Sequence, residues 1–430
     1  MYHSKRRKPH QQQKEQRRPS STPSKMPDND PSRANWHLLS DRKKKLIINI
    51  SEGNVYQVEH LLIKDDMKYP IYEGKGAMIV AASNTNENVK EMFKYLSEGF
   101  PERDRDGTTP LHYCAANFNL VAMKAYLELN PFSHSQQSYD GSSPLGLCAQ
   151  HGNLEGVKLL LKYGADPNAE GCNKATPLIL ACLGGHLETM EYLLTECNVA
   201  IEAVDADGRT PLQAASIGNH TEICTMLLDR GVNVDGMARD GKTALIIACM
   251  YGWRKLAKMY IREFCDTELS TKNGKTAIVF AAENGHAKVV KDLLNNGANP
   301  NPDLEDGSPL LYACQEGHLA AAKVLAQHQL VDVRWYDQKK RCAFSMAGAN
   351  CHYHVLRMLV KQGAKGYQKK LWYQIIDRMQ DTGSSLEIVE KEYKEKIEQL
   401  KLEKEKRRIE QVEEKRRKRK MEVLAAAEEK

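Results

Sequence analysis

The residues from Gly236 to Thr243 match the pattern of a phosphate-binding loop, G-x-x-x-x-G-K-[ST]. In such a loop the backbone amides wrap the phosphates of a nucleotide, and the lysine, here Lys242, neutralises them. That chemistry needs a buried strand before the loop, and the upstream residues Val232–Val234 are too few and too polar for a central strand. No later strand offers an aspartate for magnesium. The sequence therefore predicts that the match is a coincidence and that the protein binds no cofactor.

A second group of reactive side chains lies late in the chain and comprises Cys342, Cys351, His352 and His354. Cysteine and histidine are common zinc ligands, but this spacing fits none of the usual ligand patterns. No serine–histidine–aspartate set and no pair of carboxylates stands out elsewhere in the sequence. We therefore expect no metal site and no catalytic residues, and we predict that the protein is not an enzyme.

Both groups fall in register with a repeat that runs through most of the chain. The stretch from Ser143 to Leu178 shows the unit: a small hydroxyl residue opens it, and two short helical patterns follow, separated by a turn. Equivalent starts recur every 32 to 34 residues, at Lys44, Gly76, Thr109, Ser143, Thr176, Thr210, Thr243, Thr276, Ser308 and Cys342. A constant period of this size indicates a solenoid of stacked helix pairs.

Particular motifs within the copies resemble those of ankyrin repeats. Thr109-Pro-Leu-His and Thr176-Pro-Leu are similar to the opening motif of that family, and Gly164-Ala-Asp-Pro-Asn is similar to its closing loop. The resemblance covers roughly three quarters of the chain, in about ten repeats. It implies an all-α ankyrin-repeat solenoid of helix–turn–helix units joined by hairpin fingers, followed here by a long charged helix.

Composition divides the chain into four predicted segments. Residues 1–35 are polar and basic and should be a disordered tail. Residues 36–366 form the ankyrin array, which is degenerate at both ends, and residues 367–382 form a C-terminal capping helix. Residues 383–430 are rich in Glu, Lys and Arg and should form a single charged helix or a short coiled coil. Because a short apolar seam lies in residues 386–402, we expect a monomer or a weak dimer.

The net charge of +6 is concentrated in the two tails, since residues 1–40 carry +6 and residues 384–430 carry +2. The remaining repeats are therefore close to neutral, which argues against a nucleic-acid groove along the array. Two basic runs are candidate nuclear-import signals, with a solvated tail or face as the alternative for each: Lys5, Arg6, Arg7 and Lys8, and then Lys415, Arg416, Arg417, Lys418, Arg419 and Lys420.

Cysteine content and hydropathy bear on the compartment. The eleven cysteines are an odd number with no Cys-x-x-Cys pair, which favours a reducing compartment. The N-terminus has no hydrophobic segment of a secretory signal, and no apolar run is long enough for a membrane span. We therefore expect a cytoplasmic protein, a nuclear protein, or one found in both places.

The family resemblance implies that partners bind on the concave side of the array, at finger tips and first helices. Aromatic residues near finger tips are candidate anchors, and Trp253, which replaces a turn histidine, is another exposed-aromatic candidate on a different edge. A basic series runs along the same tips. The candidate partner-binding residues are Tyr139, Trp335, Tyr336, Trp253, Arg103, Arg105, Arg209, Arg239, Lys242, Lys272 and Lys275. The sequence around Asn168 is also similar to the acceptor site of asparaginyl hydroxylases, which implies hydroxylation there.

Together these features predict a non-catalytic intracellular adaptor or scaffold. Its ankyrin array would bind a protein partner, an acidic one being favoured by the basic finger tips. The alternative is a nuclear factor whose basic tails contact nucleic acid while the repeats recruit proteins.

Overall fold

A computed structural model describes most of the repeat region. The described residues are 41–54, 56–58, 77–83, 88–96, 103–302, 307–333, 335, 337, 339, 341–350, 352–362, 398, 402 and 406. The predicted tail 1–35, the capping helix 367–382 and both candidate import signals lie outside them. So do nearly all of the charged segment 383–430 and the candidate Tyr336. These assignments stay predictions.

Helix α1, Asp41–Glu52, precedes nine helix pairs within the described residues. The first and second helices of the pairs are, in order, α2 Ala77–Ala82 and α3 Val89–Leu96; α4 Pro110–Ala116 and α5 Leu120–Leu129; α6 Pro144–His151 and α7 Leu154–Lys162; α8 Pro177–Gly184 and α9 Leu187–Glu196; α10 Pro211–Ile217 and α11 Thr221–Asp229; α12 Ala244–Tyr251 and α13 Arg254–Arg262; α14 Ala277–Glu283 and α15 Ala287–Asn295; α16 Pro309–Gln315 and α17 Leu319–Ala326; α18 Ala343–Ala349 and α19 Tyr353–Lys361. The predicted total of ten repeats is not decided by these pairs, because most of the partner of α1 lies outside the described residues.

The opening motif of each copy starts a helix for a local reason. The Ser143 hydroxyl accepts a hydrogen bond from the Gly146 amide at 3.0 Å, and Thr243 Oγ1 accepts one from the Ile246 amide at 3.2 Å. These are N-cap contacts, which satisfy amides that the first helical turn leaves without partners. Where proline follows the cap, as at Pro144, its fixed backbone angle suits the first helical position.

Helices of the same kind contact each other along the array, first helix against first helix and second against second. Their buried side chains form one contiguous cluster from Leu46 to Val360. Each copy therefore buries its apolar surface against its neighbours, as expected for a solenoid. The only β feature in the described part is an isolated antiparallel bridge between Ser270 and Thr276. The predicted all-α solenoid is confirmed.

The hairpin fingers connect one helix pair to the next. In the finger before α12, the Ala238 amide donates to the Lys242 carbonyl at 2.9 Å, and Gly241 has a φ of +83°. Glycine suits this left-handed position, because an L side chain there would be strained. The finger before α8 instead places Asn173 and Lys174 in the left-handed region, with φ values of +52° and +57°.

Candidate functional site

Neighbouring fingers are joined at their tips by backbone hydrogen bonds. The Arg239 amide donates to the Asp207 carbonyl at 2.8 Å, and the Lys272 amide donates to the Asp240 carbonyl at 3.0 Å. The Tyr139 amide makes the same contact with Asp106 at 2.9 Å. We call the side of the array formed by the fingers and the C-terminal halves of the first helices the groove face. Because its tips are tied together, this face presents side chains from a rigid backbone.

The phosphate-loop match is a finger of this face. The Arg239 amide is occupied by the neighbouring finger, and the Gly241 amide donates to the Ala238 carbonyl at 2.9 Å. The Lys242 amide donates to Asp240 Oδ1 at 3.1 Å, and Thr243 caps α12. The amides that would hold phosphate are thus used within the array, so the segment has the structure of a finger rather than of a phosphate-binding loop.

A cleft of about 320 Å³ lies on the groove face between the fingers before α10 and α12. Its rim carries Asp207, Arg209, Arg239, Asp240 and Lys242, and its other lining residues are Ile217, Ala238, Ile247, Met250 and Tyr251. The cleft therefore combines an apolar floor with a charged rim.

Three of the sequence candidates, Arg209, Arg239 and Lys242, come together at this cleft. The floor residues Ile217, Met250 and Tyr251 were missed by the sequence reasoning. The repeat register could have identified Tyr251, because no other copy has an aromatic residue at its position, which is held for example by His151, Asn284 and Glu316. The position of Ile217 and Met250 gives no such signal, since other copies carry either polar residues (Gln150, Glu283 and Gln315) or apolar ones (Ala116, Leu183 and Ala349) there. An aromatic residue at a groove position that is polar or glycine in the other copies marks a place where stability of the repeat does not explain the residue.

Trp253, which the sequence predicted to be exposed, is only partly exposed because it packs against the core; it stacks on the cleft residue Tyr251 and interrupts a series of turn histidines. His186 Nε2 donates to the Gln150 carbonyl at 2.9 Å, His220 Nε2 to the Leu183 carbonyl at 3.1 Å, His286 Nε2 to the Met250 carbonyl at 3.2 Å, and His352 Nε2 to the Gln315 carbonyl at 2.9 Å. Each bond ties one turn to the first helix of the preceding copy.

Trp253 takes the histidine position between α12 and α13 and stacks on Tyr251 instead, with ring centroids 6.2 Å apart. Its indole Nε1 is buried and has no partner among the described residues.

Three of the seven cations in the basic series, Arg209, Lys242 and Lys275, are already paired with carboxylates. Arg209 Nε lies 3.0 Å from Asp205 Oδ2, and the same guanidinium also contacts the Asp207 carboxylate. Lys242 Nζ lies 2.7 Å from Asp240 Oδ2. Hydrogen bonds from Lys242 help to lower the pKa of Asp240 despite its partial burial. These two cations therefore carry a locally neutralised charge.

Lys275 has a structural role beyond the cleft. Its ammonium lies 2.8 Å from Glu283 Oε2 and 4.4 Å from the centroid of the Tyr312 ring. A half-buried cation held in this way by a carboxylate and an aromatic face is a packing contact. By contrast, Arg239 and Lys272 are exposed and form no ion pair within the described part of the chain.

The remaining candidates lie away from the cleft. Arg103 Nη1 donates to the carbonyls of Gly107 at 3.3 Å and Gln137 at 2.7 Å, so it bridges two early fingers. The Tyr139 ring covers Gly107 and is 75% exposed, and Arg105 is exposed on the same finger as Gly107. Trp335 is partly exposed near the other end of the array. The structure therefore does not unite all eleven candidates in one site.

The Asn168 side chain links two successive loops. Its Nδ2 donates to the Asn198 carbonyl at 2.9 Å, and its Oδ1 accepts from the Ala200 amide at 2.8 Å. Both polar groups of the side chain thus stabilise the stacking of neighbouring copies. Hydroxylation at this asparagine stays a prediction.

The cysteine–histidine group late in the chain has structural contacts. Cys342 Sγ accepts from the Ser345 amide at 3.4 Å as the cap of α18, and His352 belongs to the turn series above. His354 lies beside the Tyr353 ring, and Cys351 is outside the described residues. Where the structure describes the chain, no cluster of three His, Cys, Asp or Glu side chains is arranged to hold a metal.

Helices of the described region are also too short or too polar to cross a membrane.

Sequence comparison agrees with this architecture. A profile of ankyrin repeats matches three overlapping stretches, residues 78–171, 145–238 and 233–303. Together they cover more than half of the chain. The chain belongs to the ankyrin-repeat family. Ankyrin repeats stack into extended surfaces that serve as protein-interaction modules.

Curated proteins with similar ankyrin segments include protein fem-1 homolog CG6966 of Drosophila melanogaster, which is 41% identical over 71 residues. That match covers 15% of this chain and 11% of the fly protein. The human Arf-GAP with coiled-coil, ANK repeat and PH domain-containing protein 2 is 45% identical over 67 residues, covering 15% of this chain and 8% of the human protein. The chain thus spans about a tenth of the length of the curated relatives it matches.

Among solved structures, the crystal structure of the human ASB11 ankyrin repeat domain is similar to this chain. It superposes with a TM-score of 0.47 at 21% identity, covering 52% of this chain and 100% of the ASB11 chain.

Proposed function

We propose that this ankyrin-repeat protein is a non-catalytic adaptor that binds a protein partner on its groove face. The cleft between the fingers before α10 and α12 is the centre of the proposed site. The single observation that carries this proposal is the exposure of Tyr251, which is 46% accessible at the edge of the cleft while it stacks on Trp253.

The surroundings of Tyr251 favour a macromolecular ligand. Tyrosine and tryptophan are the residue types most often found as energetic anchors of protein interfaces. Met250, beside Tyr251, adds a flexible apolar side chain that adapts to different partners. The cleft is at the small end of the range for ligand pockets and opens along the groove, so it suits one anchoring side chain better than a whole cofactor.

The test compares partner capture by two aromatic variants of the full chain. Tyr251→Ala removes the aromatic edge of the cleft. Phe264→Ala removes an aromatic residue that is 93% exposed in the loop after α13, away from the cleft. Tagged wild type and both variants are expressed in cells, and the captured proteins are compared by quantitative mass spectrometry. Each candidate partner is then purified and titrated against the three proteins.

We expect a direct partner whose affinity falls at least about tenfold with Tyr251→Ala and changes little with Phe264→Ala, as for an interface anchor. Circular dichroism would verify that both variants keep the helical content of the wild type. If every direct partner binds wild type and Tyr251→Ala equally well, the groove-face adaptor role is wrong.

A further inference from the structure

We infer that the cleft binds an extended protein segment in which an apolar side chain lies next to carboxylates. This inference rests on the proposed function and specifies the chemistry of the partner.

The apolar part of the ligand follows from the floor of the cleft. Ile217, Met250 and Tyr251 come from the ends of α10 and α12, which are neighbours in the stack. Tyr251 is exposed and Ile217 and Met250 are partly exposed, so the three residues leave apolar surface open to solvent. Covering it with an aliphatic or aromatic side chain removes that surface from water, which is favourable at about 25 cal/mol per Å².

The acidic part of the ligand is inferred from two positive charges on the finger tips, because they form no ion pair among the described residues. Arg209 and Lys242 are neutralised by their own aspartates. Arg239 and Lys272, on adjacent finger tips, form no ion pair in the region that the structure describes. Their backbone amides donate hydrogen bonds to the carbonyls of neighbouring fingers, and both side chains are exposed. A guanidinium on a rigid tip is well suited to a two-point contact with a carboxylate.

The aspartates of the rim decide between a protein and a nucleic acid. Asp207 and Asp240 lie on the same tips, between the cations, and each is partly exposed. A continuous phosphate backbone would run past the neutral Arg209–Asp207 and Lys242–Asp240 pairs and gain little there, whereas a peptide can place single carboxylates opposite Arg239 and Lys272. The alternation of charge therefore favours a protein segment with separated acidic residues.

The experiment selects short random peptides displayed on phage against the full chain. Enriched peptides are synthesised with a fluorescent label and titrated with wild type and three variants: Arg239→Glu, Tyr251→Ala and Arg262→Glu. Arg262 is an exposed arginine on α13, away from the groove face, and provides a matched charge-reversal control.

We expect the selected peptides to share Asp or Glu beside Leu, Met, Phe or a similar apolar residue. Arg239→Glu should weaken them at least about tenfold, whereas Arg262→Glu should have little effect. Exchanging the peptide carboxylate for lysine should restore binding to Arg239→Glu. Binding to wild type should also weaken as salt is raised, because exposed charges are screened.

Three results would overturn the inference. Peptides that lose binding with Tyr251→Ala but show no acidic preference and tolerate Arg239→Glu would contradict it and leave the proposed function intact. A single-stranded oligonucleotide that displaces the peptides would show that the face prefers nucleic acid. Self-association abolished by Tyr251→Ala, measured by sedimentation, would identify a second copy of this chain as the occupant.

The same experiment can also contradict the proposed function, by a result different from those that overturn the inference. If the selected peptides bind Tyr251→Ala as well as wild type, the cleft is not the binding site, whatever their charge. Should Tyr251→Ala lose helical content, Met250→Gln, which restores the residue type of position 150 at the same register, would replace it.

Discussion

At the scale of single residues, polar side chains that resemble catalytic groups act in capping and packing. His112 shows this most clearly. Its Nε2 donates to the Ser142 carbonyl at 2.9 Å, and its Nδ1 accepts from the Thr109 amide at 3.2 Å. The ring is buried and must be neutral to accept that bond. Burial is the main cause that lowers the pKa of His112, with a smaller contribution from the Arg103 charge, and these outweigh the opposing hydrogen bond to Ser142.

This geometry predicts a loss of stability in mild acid that His112→Gln removes. The folded-state pKa lies below the unfolded value of about 6.5, so the unfolded chain binds the proton more readily. As pH falls below that value toward the folded-state pKa, wild type should lose free energy of unfolding. Glutamine caps without titrating, as Gln213 does at the same position, where its Oε1 accepts from the Thr210 amide at 2.9 Å.

The measurement is the midpoint of thermal unfolding between pH 8 and pH 5 for both proteins. We expect similar midpoints at pH 8 within a few degrees, and a smaller decline for His112→Gln as the solution becomes acidic. Parallel curves over the whole range would show that His112 does not contribute to the acid sensitivity.

At the scale of helices, neighbouring copies are joined by contacts that differ greatly in burial. Asp292 on α15 is only 7% exposed, and its carboxylate lies 2.5 Å from Arg254 Nε and 3.6 Å from Lys258 Nζ on α13. The hydrogen bond from Arg254 is the main cause that lowers the pKa of Asp292. Glu128 on α5 pairs with Lys90 on α3 at 2.9 Å in the same arrangement, but both side chains are exposed.

Asp292→Asn should therefore lower the midpoint of thermal unfolding by a few degrees at neutral pH. The depressed folded-state pKa means that this stabilisation is present above the unfolded pKa of about 4 and is lost as pH falls through the folded value. The difference between wild type and Asp292→Asn should thus shrink in strong acid.

Glu128→Gln is the matched control. The Glu128 pKa is also lowered, mainly by the hydrogen bond from Lys90, but solvent screens an exposed pair and reduces its effect on stability. An equal loss in both variants would mean that burial does not distinguish the two contacts.

At the scale of the whole molecule, the continuous core makes each copy depend on its neighbours. Five of the first helices each carry a cysteine that is fully buried in this core: Cys114, Cys148, Cys182, Cys249 and Cys314. Burial strongly raises the pKa of these thiols, which makes the reactive thiolate scarce in the folded state. Cys172 and Cys197 lie in loops and are only partly buried.

Among the ten cysteines that the structure describes, alkylation of the native chain, mapped by peptide mass spectrometry, should therefore modify Cys172 and Cys197 first. In moderate denaturant, Cys114 and Cys314 should react several-fold faster than Cys182, because copies nearer the ends of a solenoid open at lower cost. Identical rates for all the buried thiols at every denaturant concentration would instead show that the array unfolds as one unit.

The sequence alone determined the repeat, the helix starts and the finger turns, because each depends on local chemistry. A hydroxyl cap such as Ser143, a left-handed glycine such as Gly241 and the helical spacing of apolar residues act within a few bonds of themselves. The same register explained the phosphate-loop match without any coordinates.

Only the tertiary structure decided where the candidate site lies. Stacking brings Ile217 beside Met250 although they are a full repeat apart in sequence, and it leaves Tyr251 exposed next to Trp253. Ion pairs within a finger determine which cations can contact a partner. Arg209 and Lys242 are neutralised by aspartates of their own fingers, whereas Arg239 is not. The stacking contacts depend on distances between copies, and the ion pairs depend on how each finger folds. A one-dimensional pattern of residue types contains neither.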